Sequence, residues 1–219
     1  GGVYVNSGTF EMNGNASVSG NTAKNGTLNG AGVYVLGGGT FTMDGRSKVT
    51  GNAASGNQSG KNDGGGVYVS MGSKFEMNGE ATSVSNNTAT GSGGGVYVGG
   101  AFTVADSPAV MGNKDNGGAA NNVYLDDTST YGKSITIGDY GLKGNAESIG
   151  VTTKTEPTAQ VPVTIATGSK DLTDAQFDAL AAEGQQLAET AAARGKVLAL
   201  ECHPGTLTDE YPSALRYMT

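Results

Sequence analysis

The stretch Gly64-Gly65-Gly66-Val67-Tyr68-Val69, then Phe75-Glu76-Met77-Asn78-Gly79, then Val84-Ser85-Asn86-Asn87-Thr88-Ala89 is one unit of a repeat. Val-Tyr-Val stands at 3–5, 33–35, 67–69 and 96–98, with Val123-Tyr124-Leu125 as a fifth version, so the leading valines are 30, 34, 29 and 27 residues apart. Behind each lies a second apolar phrase: Thr9-Phe10-Glu11-Met12, Thr40-Phe41-Thr42-Met43, Lys74-Phe75-Glu76-Met77, Ala101-Phe102-Thr103-Val104 and Ser134-Ile135-Thr136-Ile137. In the first four units Val18, Val49, Val84 and Val110 each lead, three residues on, to Asn21, Asn52, Asn87 and Asn113. Apolar and polar residues alternate with period two over three or four positions, a strand signal too short for a helix. Short strands repeating at this interval stack as a solenoid. The expected fold is an all-β solenoid: a right-handed parallel β-helix of about five coils with three strands per coil.

Alternation assigns the side-chain directions. Val3, Val33, Val67, Val96 and Val123 point inward, as do Val5, Val35, Val69, Val98 and Leu125. Phe10, Phe41, Phe75, Phe102 and Ile135 form a second inner column, beside Met12, Met43, Met77, Val104 and Ile137. The residues between them face out, so Tyr4, Tyr34, Tyr68, Tyr97 and Tyr124 form an external ladder, and Glu11, Thr42, Glu76, Thr103 and Thr136 another. Asn21, Asn52, Asn87 and Asn113 sit at a fixed offset, where stacked turns would set them in an internal ladder bonded to backbone. The glycines before each Val-Tyr-Val allow positive φ and close approach of neighbouring coils.

Composition narrows the function classes. Glycine, at 38 of 219 residues, has no Gly-X-Y period, and only 15% of residues are charged, which excludes collagen and a charge-driven disordered chain. A net charge of -7 opposes nucleic acid or an anionic membrane as partner. No apolar run is long enough to span a bilayer. The chain opens in mid-motif at Gly1-Gly2-Val3-Tyr4-Val5, so any targeting segment is expected upstream, and the first coil, with its strand edges uncapped, is expected either to be disordered or to self-associate through them.

The quoted phrases resemble the Gly-Gly-Gly-Val-Tyr-Val, Phe-Thr-Met and Ile-Ser-Gly-Asn-Thr-Ala repeats of large bacterial surface proteins with right-handed parallel β-helix repeats, akin to polymorphic outer-membrane and adhesin-like passenger domains. The resemblance covers roughly residues 1–150. It implies a fragment of a larger secreted or cell-surface protein with a structural or adhesive role, binding a glycan or protein, and not an enzyme.

After the fifth unit the pattern loosens. Ser148-Ile149-Gly150-Val151 reads as a delayed third segment and Val161-Pro162-Val163-Thr164-Ile165 as an edge strand. From 171 to 194 the character changes: Thr173 and Gln176 suit a capping box, and Phe177, Leu180, Ala181, Leu187 and Ala188 give a helical apolar stripe. The division is therefore a β-helix at 1–168 and, at 169–219, a C-terminal α-helical cap or a small separate α/β tail.

No cofactor or metal is expected. Cys202 and His203 are the sole Cys and His, too few ligands for a zinc site. The alternative to adhesion is a polysaccharide-active lyase or hydrolase, which needs clustered carboxylates and a Lys or Arg. Asp126 and Asp127 at the turn after the fifth first strand, with Lys133 nearby, are the best such group. Ice binding is opposed by Glu11 and Glu76, which break the threonine row. The candidate binding residues are thus the tyrosine ladder, Tyr4, Tyr34, Tyr68, Tyr97 and Tyr124.

Overall fold

The structure, a computed structural model, describes residues 1–24, 29–56, 62–143, 149–158 and 161–168. Coil one holds β1 (Val3–Asn6), β2 (Thr9–Met12), β3 (Ser17–Ser19) and β4 (Thr22–Lys24). Coil two holds β5 (Val33–Leu36), β6 (Thr40–Met43), β7 (Lys48–Thr50) and β8 (Ala53–Ser55). Coil three holds β9 (Val67–Val69), β10 (Lys74–Met77), β11 (Ser83–Ser85) and β12 (Thr88–Ala89). Coil four holds β13 (Val96–Val98), β14 (Ala101–Asp106), β15 (Ala109–Met111) and β16 (Lys114–Asp115). Beyond these come β17 (Val123–Leu125), β18 (Ile135–Leu142), β19 (Val151–Thr153) and β20 (Ala166–Gly168).

Equivalent strands pair in parallel and in register, Val3 with Val33, Phe41 with Phe75, Val84 with Val110. They build two six-stranded sheets, β1-β5-β9-β13-β17-β19 and β2-β6-β10-β14-β18-β20, and two four-stranded sheets, β15-β11-β7-β3 and β16-β12-β8-β4. The chain is a parallel β-solenoid of about five turns. The described residues contain no helix.

Three expectations need correction. Coils one to four carry four strands each, not three. The fourth strand is two or three residues long, and in coils one to three it turns a single alanine inward: Ala23, Ala54 and Ala89 pack with Ala31 in a small cluster apart from the main core, while in coil four it is Lys114–Asp115. One small residue between polar neighbours leaves no alternation for the sequence pattern to display. Val151 is not part of a third strand; β19 pairs with β17 as a further rung of the first sheet. The terminal edge strand is Ala166–Gly168, not the segment around Pro162, which has no N–H to give to a ladder. The carbonyl of Ile165 does accept from the Ile135 N–H, at 2.9 Å, just before pairing begins. The helical cap or tail expected at 169–219, with Cys202 and His203, lies outside the described residues, as does Ser148.

The inward columns are those the alternation assigns. Val33, Val35, Phe41, Met43, Val67, Phe75, Val84, Phe102 and Val110 are fully buried, each worth ~1.5–3 kcal/mol relative to exposure. Phe41, Phe75 and Phe102 stack nearly parallel, with centroids 4.9 and 5.0 Å apart. In coil one Val3, Phe10 and Val18 are only half-buried.

Polar order inside the solenoid rests on asparagine. The Asn52 side-chain oxygen accepts from the backbone N–H and the side-chain amide of Asn21; Asn87 does the same for Asn52, and Asn113 for Asn87, at 2.9–3.0 Å. Each amide also donates to a valine carbonyl one coil back: Asn52 to Val18, Asn87 to Val49, Asn113 to Val84. Every buried polar atom of these side chains is thereby satisfied, as burial demands. The glycine before each first strand makes room for this ladder. A Cβ at Gly66 would lie 2.6 Å from the Gly95 oxygen, 2.8 Å from the Asn87 amide nitrogen and 2.9 Å from a Val84 methyl. In coil five that position is Asn122, whose own side-chain oxygen accepts from the Asn113 N–H at 2.9 Å and its amide at 3.1 Å, closing the ladder.

Three substitutions test this corner. Gly66→Ala should cost ~3 kcal/mol or more, because backbone oxygen and ladder amide both stand where the methyl must go. Gly51→Ala, at φ +64 with nothing within 4 Å, should cost only ~1 kcal/mol. Asn87→Ala orphans the buried Asn52 backbone N–H and removes the amide that donates to the Val49 carbonyl and to Asn113, so a loss of at least ~3 kcal/mol is expected. Denaturant midpoints of the three variants give the order.

Candidate functional site

The outward position at the centre of the first five strands of the first sheet, β1, β5, β9, β13 and β17, is tyrosine, and in-register pairing brings these rings into one column; in β19 the position is Thr152. Tyr4, Tyr34 and Tyr68 meet edge to face, with centroids 5.6 and 5.1 Å apart. Tyr68, Tyr97 and Tyr124 lie face to face, at 4.6 and 5.4 Å with interplanar angles of 8° and 22°. Tyr4 is exposed, and the other four are half-buried. Stacking covers the two faces of Tyr97 with its neighbours, so this half of the column shows ring edges and hydroxyls to water, whereas the edge-to-face rings of Tyr4 and Tyr34 do not cover one another's faces in this way.

Tyr97 donates its hydroxyl proton to Asp126 Oδ2 at 3.2 Å, and Asn29 and Ser92 lie beside the hydroxyls of Tyr68 and Tyr124. Asn29, Asp63 and Ser92 occupy the fourth position before their first strands, flanking the column on its upstream side. There the Asp63 N–H donates to Asn29 Oδ1 at 3.0 Å, and Asp63 Oδ1 accepts from the Ser92 N–H at 2.6 Å.

Asp126 is the hub at the downstream side. It accepts from Lys154 Nζ at 3.0 and 3.2 Å and from Thr128 Oγ1 at 2.7 Å, in addition to Tyr97. Asp127 Oδ1 accepts from the Thr155 N–H at 2.8 Å. The two carboxylates therefore tie the turn after β17 to the segment after β19. Lys154, not Lys133, is the basic partner. It sits one residue past β19, where its N–H donates to the Leu125 carbonyl at 2.9 Å. The sequence could show this neighbour only once Val151–Thr153 was aligned with Val123–Leu125.

Burial chiefly, then the charges and phenols around them, pushes the tyrosines up: Tyr34 and Tyr124 rise, Tyr68 reaches about 12, and Tyr97 rises further, helped by Asp126. At Asp126 partial desolvation alone would raise the carboxyl. Hydrogen bonds from Thr128, Lys154 and Tyr97 together with the Lys154 charge outweigh it and hold the group below its usual value. Lys154 is raised, first by its hydrogen bond to Asp126.

Elsewhere two outward carboxylates are paired: Glu76 with Lys74 and Thr42, and Asp106 with Lys143 at 2.9 Å. Among the described residues no group of three or more His, Cys, Asp or Glu is arranged to hold a metal ion, and no helix is long and apolar enough to cross a membrane. Comparison with protein-family models, with curated proteins and with solved structures found no significant match to this chain.

The tyrosine shifts set an alkaline limit. A phenol whose folded pKa is raised favours the folded state while it stays neutral, so that stability is whole below pH 10, the ordinary value, and is lost as pH climbs toward about 12 for Tyr68. The melting temperature should fall across this window, and Tyr68→Phe should flatten the fall.

Proposed function

We propose that this chain is a structural or adhesive domain of a larger secreted or cell-surface bacterial protein, a right-handed parallel β-helix akin to the adhesin-like repeats it resembles. In this reading residues 169–219 close the far end of the rod, and the outward rows of the sheets contact a glycan or protein ligand. The observation that carries it is periodicity: one side of the rod presents a tyrosine at the same register position coil after coil, a surface suited to an extended or repeating ligand.

The ionisable groups beside the column support the same reading. General acid–base chemistry works best with groups tuned toward neutrality. Asp126 is held low and Lys154 and Tyr97 are held high, each away from neutrality, as in a structural clamp. The second reading, a polysaccharide-active enzyme, draws on one observation, the Asp126 carboxylate lying between a lysine and a tyrosine.

One experiment separates them. The purified protein is presented to immobilised glycans and host-surface proteins, and in parallel to soluble pectin, alginate and glycosaminoglycan with and without calcium. Saturable binding without turnover is expected, weakened ~10-fold (~1.4 kcal/mol) when Tyr34 and Tyr68 are both changed to Ala. Turnover that disappears in Asp126→Asn would overturn adhesion in favour of the enzyme.

A further inference from the structure

The tyrosine column has a chemistry of its own, independent of any ligand. Two separate observations converge on one pair of residues. Tyr68 and Tyr97 have the shortest ring separation in the column, 4.6 Å, and lie nearly parallel. Tyr97 is also the tyrosine whose hydroxyl is aimed at a carboxylate, Asp126. Lys154 and Thr128 anchor that carboxylate from the other side, so its oxygen stays in place as a proton acceptor.

A phenol is hard to oxidise while it keeps its proton and much easier when the proton can leave with the electron. Stacked neighbours add to this by sharing the resulting hole. From these contacts we propose that the column is an oxidative cross-linking site, at which a one-electron oxidant of the peroxidase or photogenerated metal-complex class joins Tyr68 to Tyr97 as a dityrosine between coils three and four.

The electron count closes. Tyr97 gives one electron to the oxidant and its hydroxyl proton to Asp126 Oδ2. A second oxidising equivalent takes one electron from Tyr68, whose proton leaves to water. The two phenoxyl radicals then form a carbon–carbon bond between ring positions ortho to the hydroxyls, the rings tilting edge to edge to meet. On each ring the displaced ortho hydrogen moves to the oxygen and restores the phenol. Two phenols thus give one dityrosine, two protons and two electrons, the last taken by the oxidant. The oxidant need not reach the pair directly. Tyr4 is 63% exposed at the open end of the column, and each ring from there to Tyr97 touches the next.

The competing expectation is simple accessibility. Tyr140 and Tyr131, at 70% and 59% exposed, lie outside the column and flank Tyr4 in exposure. If access alone decides, these three should react and the half-buried pair should not. The test is brief visible irradiation of the whole chain with a ruthenium tris-bipyridine complex and persulfate, read by dityrosine fluorescence and by mass spectrometry of cross-linked peptides. The expected result is a Tyr68–Tyr97 link within single chains. It should be lost in Tyr97→Phe, which keeps the ring and the stack, reduced in Asp126→Asn, and unchanged when Tyr131 and Tyr140 are both changed to Phe. Circular dichroism confirms that each variant keeps its sheet. Cross-links confined to Tyr4, Tyr131 and Tyr140, at equal yield in wild type and Tyr97→Phe, would overturn the proposal.

Discussion

The constraint on which the rest depends is the corner where the third strand turns into the fourth. A backbone bend facing the interior brings amide and carbonyl groups away from water, and unpaired groups there would be costly. Asparagine solves the problem because its side chain offers both a donor and an acceptor at once. Asn52, Asn87 and Asn113 each satisfy the corner of the preceding coil while being satisfied by the next. The residue ahead of each ladder asparagine also has a left-handed backbone: Gly20, Gly51, Asn86 and Gly112. Where glycine is absent, at Asn86, the substitute is the side chain that tolerates this conformation best.

The ladder in turn fixes how close coils lie. Its amides occupy the space a side chain would need at Gly2, Gly32, Gly66 and Gly95, so the start of the first strand is drawn against the asparagine corner. Coils held at a strand-to-strand spacing bring like residues to contact distance on both faces of the sheet. Inside, this produces the phenylalanine stack; outside, the same spacing produces the tyrosine column. The aromatic contacts are consequences of register, and register is set by residues that never touch an aromatic ring.

Much of this was legible in the amino-acid order. The Val-Tyr-Val and Phe-x-Met phrases alternate strongly enough to reveal their strands, their inward columns and the outward tyrosines. The asparagine offset was equally plain. The fourth sheet was not, because Thr22-Ala23-Lys24 and its counterparts in coils two and three bury one alanine methyl apiece, Lys114-Asp115 in coil four buries none, and none carries a hydrophobic signature. Lys154 as the partner of Asp126 was hidden for another reason: the two are 28 residues apart, and their meeting depends on a strand, Val151–Thr153, that retains only the first valine of its motif. That Tyr68, Tyr97 and Tyr124 cover one another's faces while Tyr4 and Tyr34 meet their neighbours edge to face follows from ring angles that alternation cannot convey.

Asn122 ends the polar ladder from an unusual place. It stands where earlier coils have glycine, and its side chain fills the hollow that a ladder asparagine of its own coil would have used. A repeat array with such a terminator is polar in the genetic sense. Duplication or loss of a whole unit between Gly32 and Gly95 would leave every corner with its proper neighbour, since each unit meets the next in the same way. A unit inserted behind Asn122 would find its asparagine's site already taken. Rod length is therefore free to drift by unequal exchange among the coils that precede this residue.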